Sequence, residues 1–95
     1  MRAKQGDQQG AIKEFTRAIE TKDVTLDQKN DAFLGRAAAL LQLKEHEMAA
    51  ADLNQVFHSK DASASQKVAA IFGRSQVLLF LERYEEALEL SLIHI

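Results

Sequence analysis

The 95 residues suffice for one small domain, and 12 Lys+Arg against 14 Asp+Glu leave a net charge of −2. The cations are scattered and matched by acids, which excludes the basic footprint of a nucleic-acid binder, while 46% apolar content excludes a disordered chain. Having no Cys, the chain has no disulfide, no thiolate nucleophile and no Cys-rich zinc site. No apolar run nears the roughly 20 residues of a membrane span, and Met1-Arg2-Ala3-Lys4-Gln5-Gly6 lacks the apolar core of a secretory signal. The expected setting is cytoplasmic, with neither membrane nor nucleic acid as partner. Proline is absent, and Ala occurs fifteen times and Leu twelve. Proline costs about 3 kcal/mol inside a helix whereas Ala and Leu favour one, so the expected class is all-α.

Helices are expected at 8–21, 26–43, 46–58, 64–81 and 84–94, with residues 2–5 closing an earlier helix. The first carries the apolar stripe Ala11, Ile12, Phe15, Ala18, Ile19, which returns as Ala49, Ala50, Leu53, Val56, Phe57 in the third. The second and fourth open on matching capping boxes, Thr25-Leu26-Asp27-Gln28 and Ser63-Ala64-Ser65-Gln66. Each then runs apolar over more than half its circumference, from Phe33 to Leu43 and from Ile71 to Leu81, and so needs neighbours on at least two sides. These matches share one offset of 38 residues: Gln28-Lys29 returns as Gln66-Lys67, Gly35-Arg36 as Gly73-Arg74, and Leu40-Leu41-x-Leu43 as Leu78-Leu79-x-Leu81. The third copy of the stripe begins with Ala87 and Leu88 but puts Ser91 and His94 where Leu53 and Val56 stood.

A unit repeated about two and a half times, each built of two helices, predicts an α-solenoid of antiparallel helix pairs. It is expected as a single domain over 1–95, with a partial repeat at 1–22, a repeat at 25–58, and a repeat at 63–95 whose last residues are atypical. On this reading the chain begins and ends inside a repeat.

The run Arg83-Tyr84-Glu85-Glu86-Ala87-Leu88, with weaker copies at His46-Glu47-Met48-Ala49-Ala50 and Asp7-Gln8-Gln9-Gly10-Ala11-Ile12, resembles the tetratricopeptide repeat (TPR). The likeness spans about Gln5 to Leu90 and implies small residues at the helix crossings, Ala37 and Ser75, with Leu40 and Leu78 one turn on. The family's Trp and inter-repeat Pro are absent, and the spacing is 38 rather than about 34. HEAT-like repeats are longer, and Tyr84-x-x-Ala87 argues against them. Gly35-Arg36-Ala37-Ala38 and Gly73-Arg74-Ser75-Gln76 are most similar to the TPR domains of heat-shock co-chaperones, the myosin-directed type in particular. That resemblance implies a heat-shock chaperone or its client as partner. The clamp that holds a chaperone's C-terminal carboxylates would put Asn at Gly35, Lys at Ala69 and Arg at Gly73, none of which offers a side-chain donor.

In such an array one helical face lines the concave groove: Leu34, Gly35, Ala38, Leu41 and Gln42, repeated as Phe72, Gly73, Gln76, Leu79 and Phe80, with Ala69 beside them. The groove is apolar and nearly uncharged, suited to an amphipathic helix or an extended apolar segment. Gly35 and Gly73 at one phase point first to close helix approach, and second to room for a ligand. Arg36 and Arg74 are expected to be structural, their stems on apolar surface and their heads wet. His46-Glu47 lacks the second His of a zinc helix, since residue 50 is Ala, and His58 near Asp61 has no third ligand. Neither a phosphate loop nor a Gly-x-Ser-x-Gly elbow occurs. The expectation is a non-enzymatic interaction adaptor without metal or cofactor. A second reading is a structural or self-associating piece whose apolar ends, 11–19 and 88–95, are buried by a partner.

Overall fold

A computed structural model describes the backbone of residues 4–93 and the side chains of residues 7–83. Within that span the chain forms four α-helices and no strand: α1 (Lys4–Glu20), α2 (Leu26–Gln42), α3 (His46–Phe57) and α4 (Ala64–Ile93). Both expected capping boxes form. Thr25 Oγ1 accepts from the Gln28 N–H and Gln28 Oε1 from the Thr25 N–H, each at 3.0 Å. The Ser63–Gln66 pair repeats this at 3.1 and 2.9 Å, so free donors at the starts of α2 and α4 are satisfied locally.

The turn between α2 and α3 is built by the backbone. The Lys44 N–H donates to the Leu41 carbonyl at 3.0 Å and the Glu45 N–H to the Leu40 carbonyl at 2.8 Å, the two-bond pattern of a Schellman motif. Its left-handed position is Lys44, at φ 66°, where glycine would carry no Cβ penalty.

Consecutive helices pack on one another, and α2 also touches α4. Arg36 meets Asp52 and Asn30 meets Ser59, so α2 and α3 run antiparallel. Gln66 of α4 reaches Asp27 and Asp31 of α2, and Val77 shares a cluster with Ala37 and Leu40. The two first-stretch helices therefore lie parallel, displaced by about the 38-residue offset of the sequence repeat. The core between them is thin and alanine-rich: Ala32, Ala37, Ala39, Leu40, Ala49, Leu53, Val56, Ala70 and Val77 are buried. Small side chains allow the backbones to approach closely, and the two mid-helix glycines carry this furthest. The Phe15 ring occupies the space of a Cβ on Gly35, and both Leu53 methyls lie 2.9 Å from a Cβ built on Gly73. Phe15 and Leu53 are themselves related by the repeat, so one crossing is built twice.

Two expected boundaries are corrected. Lys4 and Gln5 belong to the first turn of α1 instead of closing an earlier helix, because one glycine at position 6 costs only about 1 kcal/mol and does not end a helix; residues 1–3 lie outside the described residues. The break expected at Glu82–Arg83 does not form, and the backbone continues as helix to Ile93. The corresponding reversal at Lys44 carries a strained residue and is offset by burial of Ala49, Leu53 and Val56 on the returning helix. Ser91 and His94 replace two of those three, so folding back gains less while Leu81, Glu82 and Arg83 all favour helix. The Tyr84-x-x-Ala87 side chains and His94 lie outside the described residues.

Lys44→Gly should stabilise the fold by roughly 0.5–1 kcal/mol by relieving the left-handed residue. Gly10→Ala, with nothing within 4 Å of the new methyl, should add up to about 1 kcal/mol. Gly35→Ala should instead destabilise by about 1–2 kcal/mol, because displacing the Phe15 ring outweighs the helix-propensity gain. Urea denaturation of the three variants tests the order; a stabilising Gly35→Ala would mean that the α1–α2 crossing is looser than described.

Candidate partner-binding face

The groove positions differ in what covers them. Gly35 and Gly73 face Phe15 and Leu53, so both are helix-crossing residues with no room for a ligand. Leu34 and Leu41 are half-buried against the core cluster. Ala38, Gln42, Ala69 and Gln76 are exposed, as are Phe72 at 68% and Leu79 at 56%. Helical phase puts these six on corresponding faces of the parallel helices α2 and α4. Phe80 lies at the edge, stacked flat on His46 with ring centroids 3.6 Å apart, a contact that ties the start of α3 to α4.

The clamp positions take on a physical meaning here. A side chain at 35 or 73 would run into Phe15 or Leu53, so an Asn or Arg there would need a different helix crossing. The exposed face offers amides at Gln42 and Gln76 between apolar surfaces, and no cation among its six residues.

On the far side of α2 the guanidinium of Arg36 is half-buried, and its head is not simply wet as expected. Nε and Nη2 donate to the two Asp52 oxygens, each at 2.7 Å, and Nη1 donates to Thr16 Oγ1 at 3.0 Å. One side chain thus joins α1, α2 and α3 through a bidentate pair. The bond to Asp52 raises the Arg36 pKa above its ordinary value, against an opposing effect of partial burial. A raised value stabilises the fold at every pH below the unfolded one and fades only in strong alkali, so the Arg36 side of this bridge is constant through the neutral range. Arg74, at the repeated position, lies over the Phe57 ring at 4.2 Å.

Three buried polar residues escaped the sequence reading of the packing. Asp52 and Asn30 hold Arg36 and Ser59, and the Gln66 amide, beyond its capping role, donates to Asp31 Oδ1 at 2.7 Å and to Asp27 Oδ1 at 3.2 Å. The available signal was an Arg at 36 and an Asp at 52 on adjoining helices of the hairpin. Among the described residues no three His, Asp or Glu side chains gather as metal ligands, and no described helix is long and apolar enough to cross a membrane. No family model matches the chain, and neither a curated protein nor a solved structure matches it.

Asp52→Ala leaves a half-buried guanidinium without its carboxylate and should cost about 2–4 kcal/mol, whereas Thr16→Val should cost about 1 kcal/mol or less. Thermal melts followed by circular dichroism separate the two; equal losses would mean that the Thr16 bond, not the ion pair, ties these helices.

Proposed function

We propose that this protein is a non-catalytic, cytoplasmic interaction adaptor, a TPR-like stack of helix pairs that takes an apolar partner segment across the paired faces of α2 and α4. The observation that carries the reading is the exposed set Phe72 and Leu79 beside Ala38, Gln42 and Gln76, held on helices whose adjoining faces are fixed by glycine crossings. A surface fixed in this way loses little conformational freedom when a segment docks, so more of the burial energy appears as affinity. An amphipathic helix suits it, with apolar residues on Phe72 and Leu79 and polar ones toward the two glutamines.

The parallel placement of α2 and α4 at the repeat offset supports the solenoid part of this reading, since stacked repeats put equivalent helices side by side. The role in chaperone traffic, with a heat-shock chaperone or its client as partner, comes from the resemblance. Lack of donors at 35, 69 and 73 makes an apolar stretch of the partner a better ligand than an acidic tail.

Titration of the isotopically labelled chain with two peptides, a Leu-rich amphipathic helix and a short acidic peptide with a free C-terminal carboxylate, tests this directly. The first should give saturable amide shifts at Ala38, Gln42, Gln76 and Leu79, weakened about tenfold or more by Phe72→Ala. The second should move nothing. Saturable shifts from the acidic peptide alone, or none from either, would overturn the proposal.

A further inference from the structure

The α2–α3 hairpin shows how a first-stretch helix is covered by the helix that follows it, and the repeat allows the same comparison for α4. Asn30, Ala37 and Leu40 on α2 are buried, at 5%, 0% and 3% exposure. Their repeats on α4 are Val68, Ser75 and Leu78, and all three are exposed, Val68 at 64% and Leu78 at 61%. Positions facing the preceding helix behave differently: Ala32 and Ala39 on α2 and Ala70 and Val77 on α4 are all buried. The side of α4 that repeats the α3-covered side of α2 is therefore uncovered. Its backbone runs straight on as helix to Ile93, so the segment that would repeat α3 extends the same rod.

α1 has the opposite deficiency. On α3 and just past its end, the positions that face α2 are Ala49, Asp52, Val56 and Ser59, the first three buried. Their repeats on α1 and just past its end are Ala11, Glu14, Ala18 and Thr21, of which Glu14 and Thr21 are exposed and the alanines only half-buried. The bidentate bridge at 2.7 Å between Arg36 and Asp52 is thus present as two separated halves. Arg74 repeats Arg36, and Glu14 repeats Asp52 with the same charge. Within one chain the position that repeats Asp52 is residue 90, and it is Leu, not a carboxylate. Among the described residues no carboxylate pairs with Arg74 or cation with Glu14. The Arg74 guanidinium lies over the Phe57 ring, an arrangement compatible with donation in the guanidinium plane.

The surface clefts repeat the pattern. One of about 260 Å³ has Thr16 and Arg36 on two walls and Met48, Ala51 and Asp52 of α3 as its third. Its repeat, of about 200 Å³, has Asn54 and Arg74 on the same two walls and, among the described residues, only α3 and α4 residues around it. The residues that would supply the third wall are Gly10, Lys13 and Glu14 of α1.

We propose that a second copy of this chain covers the outward face of α4 with its own α1, in the register that pairs Arg74 of one copy with Glu14 of the next. Two different surfaces meet, so the contact is head-to-tail and leaves an α1 and an α4 free at the ends for further copies. The apolar part is Val68 and Leu78 against the small Ala11 and Ala18, whose size permits the close approach seen at Ala49. The groove face at Phe72, Gln76 and Leu79 is adjacent and separate, so this inference stands independently of the adaptor reading.

Sedimentation velocity of the full chain over a wide concentration range tests it. The mean mass of the wild type should rise with concentration and pass that of a dimer. Glu14→Arg and Arg74→Glu should each raise the dissociation constant about tenfold or more by placing like charges together. An equimolar mixture of the two variants should associate again, since each then presents the charge the other needs, and so should the E14R/R74E double variant. Leu78→Glu should abolish association. Circular dichroism controls for folding. If Arg74→Glu, which loses the Phe57 contact, fails to fold, the exposed-site variant Glu14→Arg still decides: retained association would overturn the proposal. So would a wild type that stays monomeric, as when residues 84–93 turn back over α4. Association lost in Leu78→Glu but indifferent to Glu14→Arg would equally overturn it in favour of symmetric α4-to-α4 pairing. Phe72→Ala should leave the mass unchanged, which separates this result from the fate of the groove reading.

Discussion

The architecture depends on how closely two helices can approach at one point. Gly35 under Phe15 and Gly73 under Leu53 set that approach, and each glycine costs about 1 kcal/mol of helix propensity that the inserted side chain more than offsets by its burial. A bulky residue from one helix meeting a gap in the next fixes translation and rotation together, which a seam of leucines alone would not. The same contact occurs at both crossings, one repeat apart, so α2 on α1 and α4 on α3 take one relation. The parallel placement of α2 and α4 then follows, and with it the sharing of a face by Ala38, Gln42, Phe72, Gln76 and Leu79.

Polar residues refine what the glycines establish. Arg36 joins three helices through Asp52 and Thr16, and Gln66 closes its own capping box while bonding to Asp27 and Asp31 of α2. Both sit where an apolar residue could have packed. What they add is directionality: a bidentate guanidinium–carboxylate pair and a three-acceptor amide each tolerate one register, whereas alanine surfaces slide. The Ala-rich core needs that help, since among the larger described side chains only Val56 is fully buried.

Much of this was legible in the sequence because the sequence repeats. The first three helices and both capping boxes follow from apolar spacing and from Thr25 and Ser63, with ends shifted by a few residues. The glycines were legible as a pair at one phase and as points of close helix approach, but the room for a ligand that the second reading allowed them is filled by Phe15 and Leu53, because spacing gives the phase of a residue and not what occupies the space beside it. Asp52 and Asn30 were hidden for the same reason: a polar residue within an apolar stripe is readable as buried only once its partner on the facing helix is known. The break at Glu82–Arg83 was the clearest divergence. Local similarity to the turn at Lys44 suggested it, but that turn depends on the apolar stripe of the helix that follows, and Ser91 and His94 remove two of its anchors.

That divergence connects the fold to its open surfaces. A first-stretch helix is built to be covered on two sides, and α2 is: α1 lies over Ala32, Gly35 and Ala39, and α3 over Asn30, Ala37 and Leu40. α4 carries the same two-sided pattern and has α3 on one side only, so Val68 and Leu78 stand in solvent at a hydrophobic cost of the order of 1 kcal/mol or more each. α1 carries a second-stretch pattern with one side covered. These are complementary deficits, one surface lacking a helix with small residues and an acid, the other lacking a helix with larger apolar residues and an arginine. The Arg36–Asp52 bridge inside the molecule shows what the two become when they meet, at a geometry that the glycine crossings already fix on both sides.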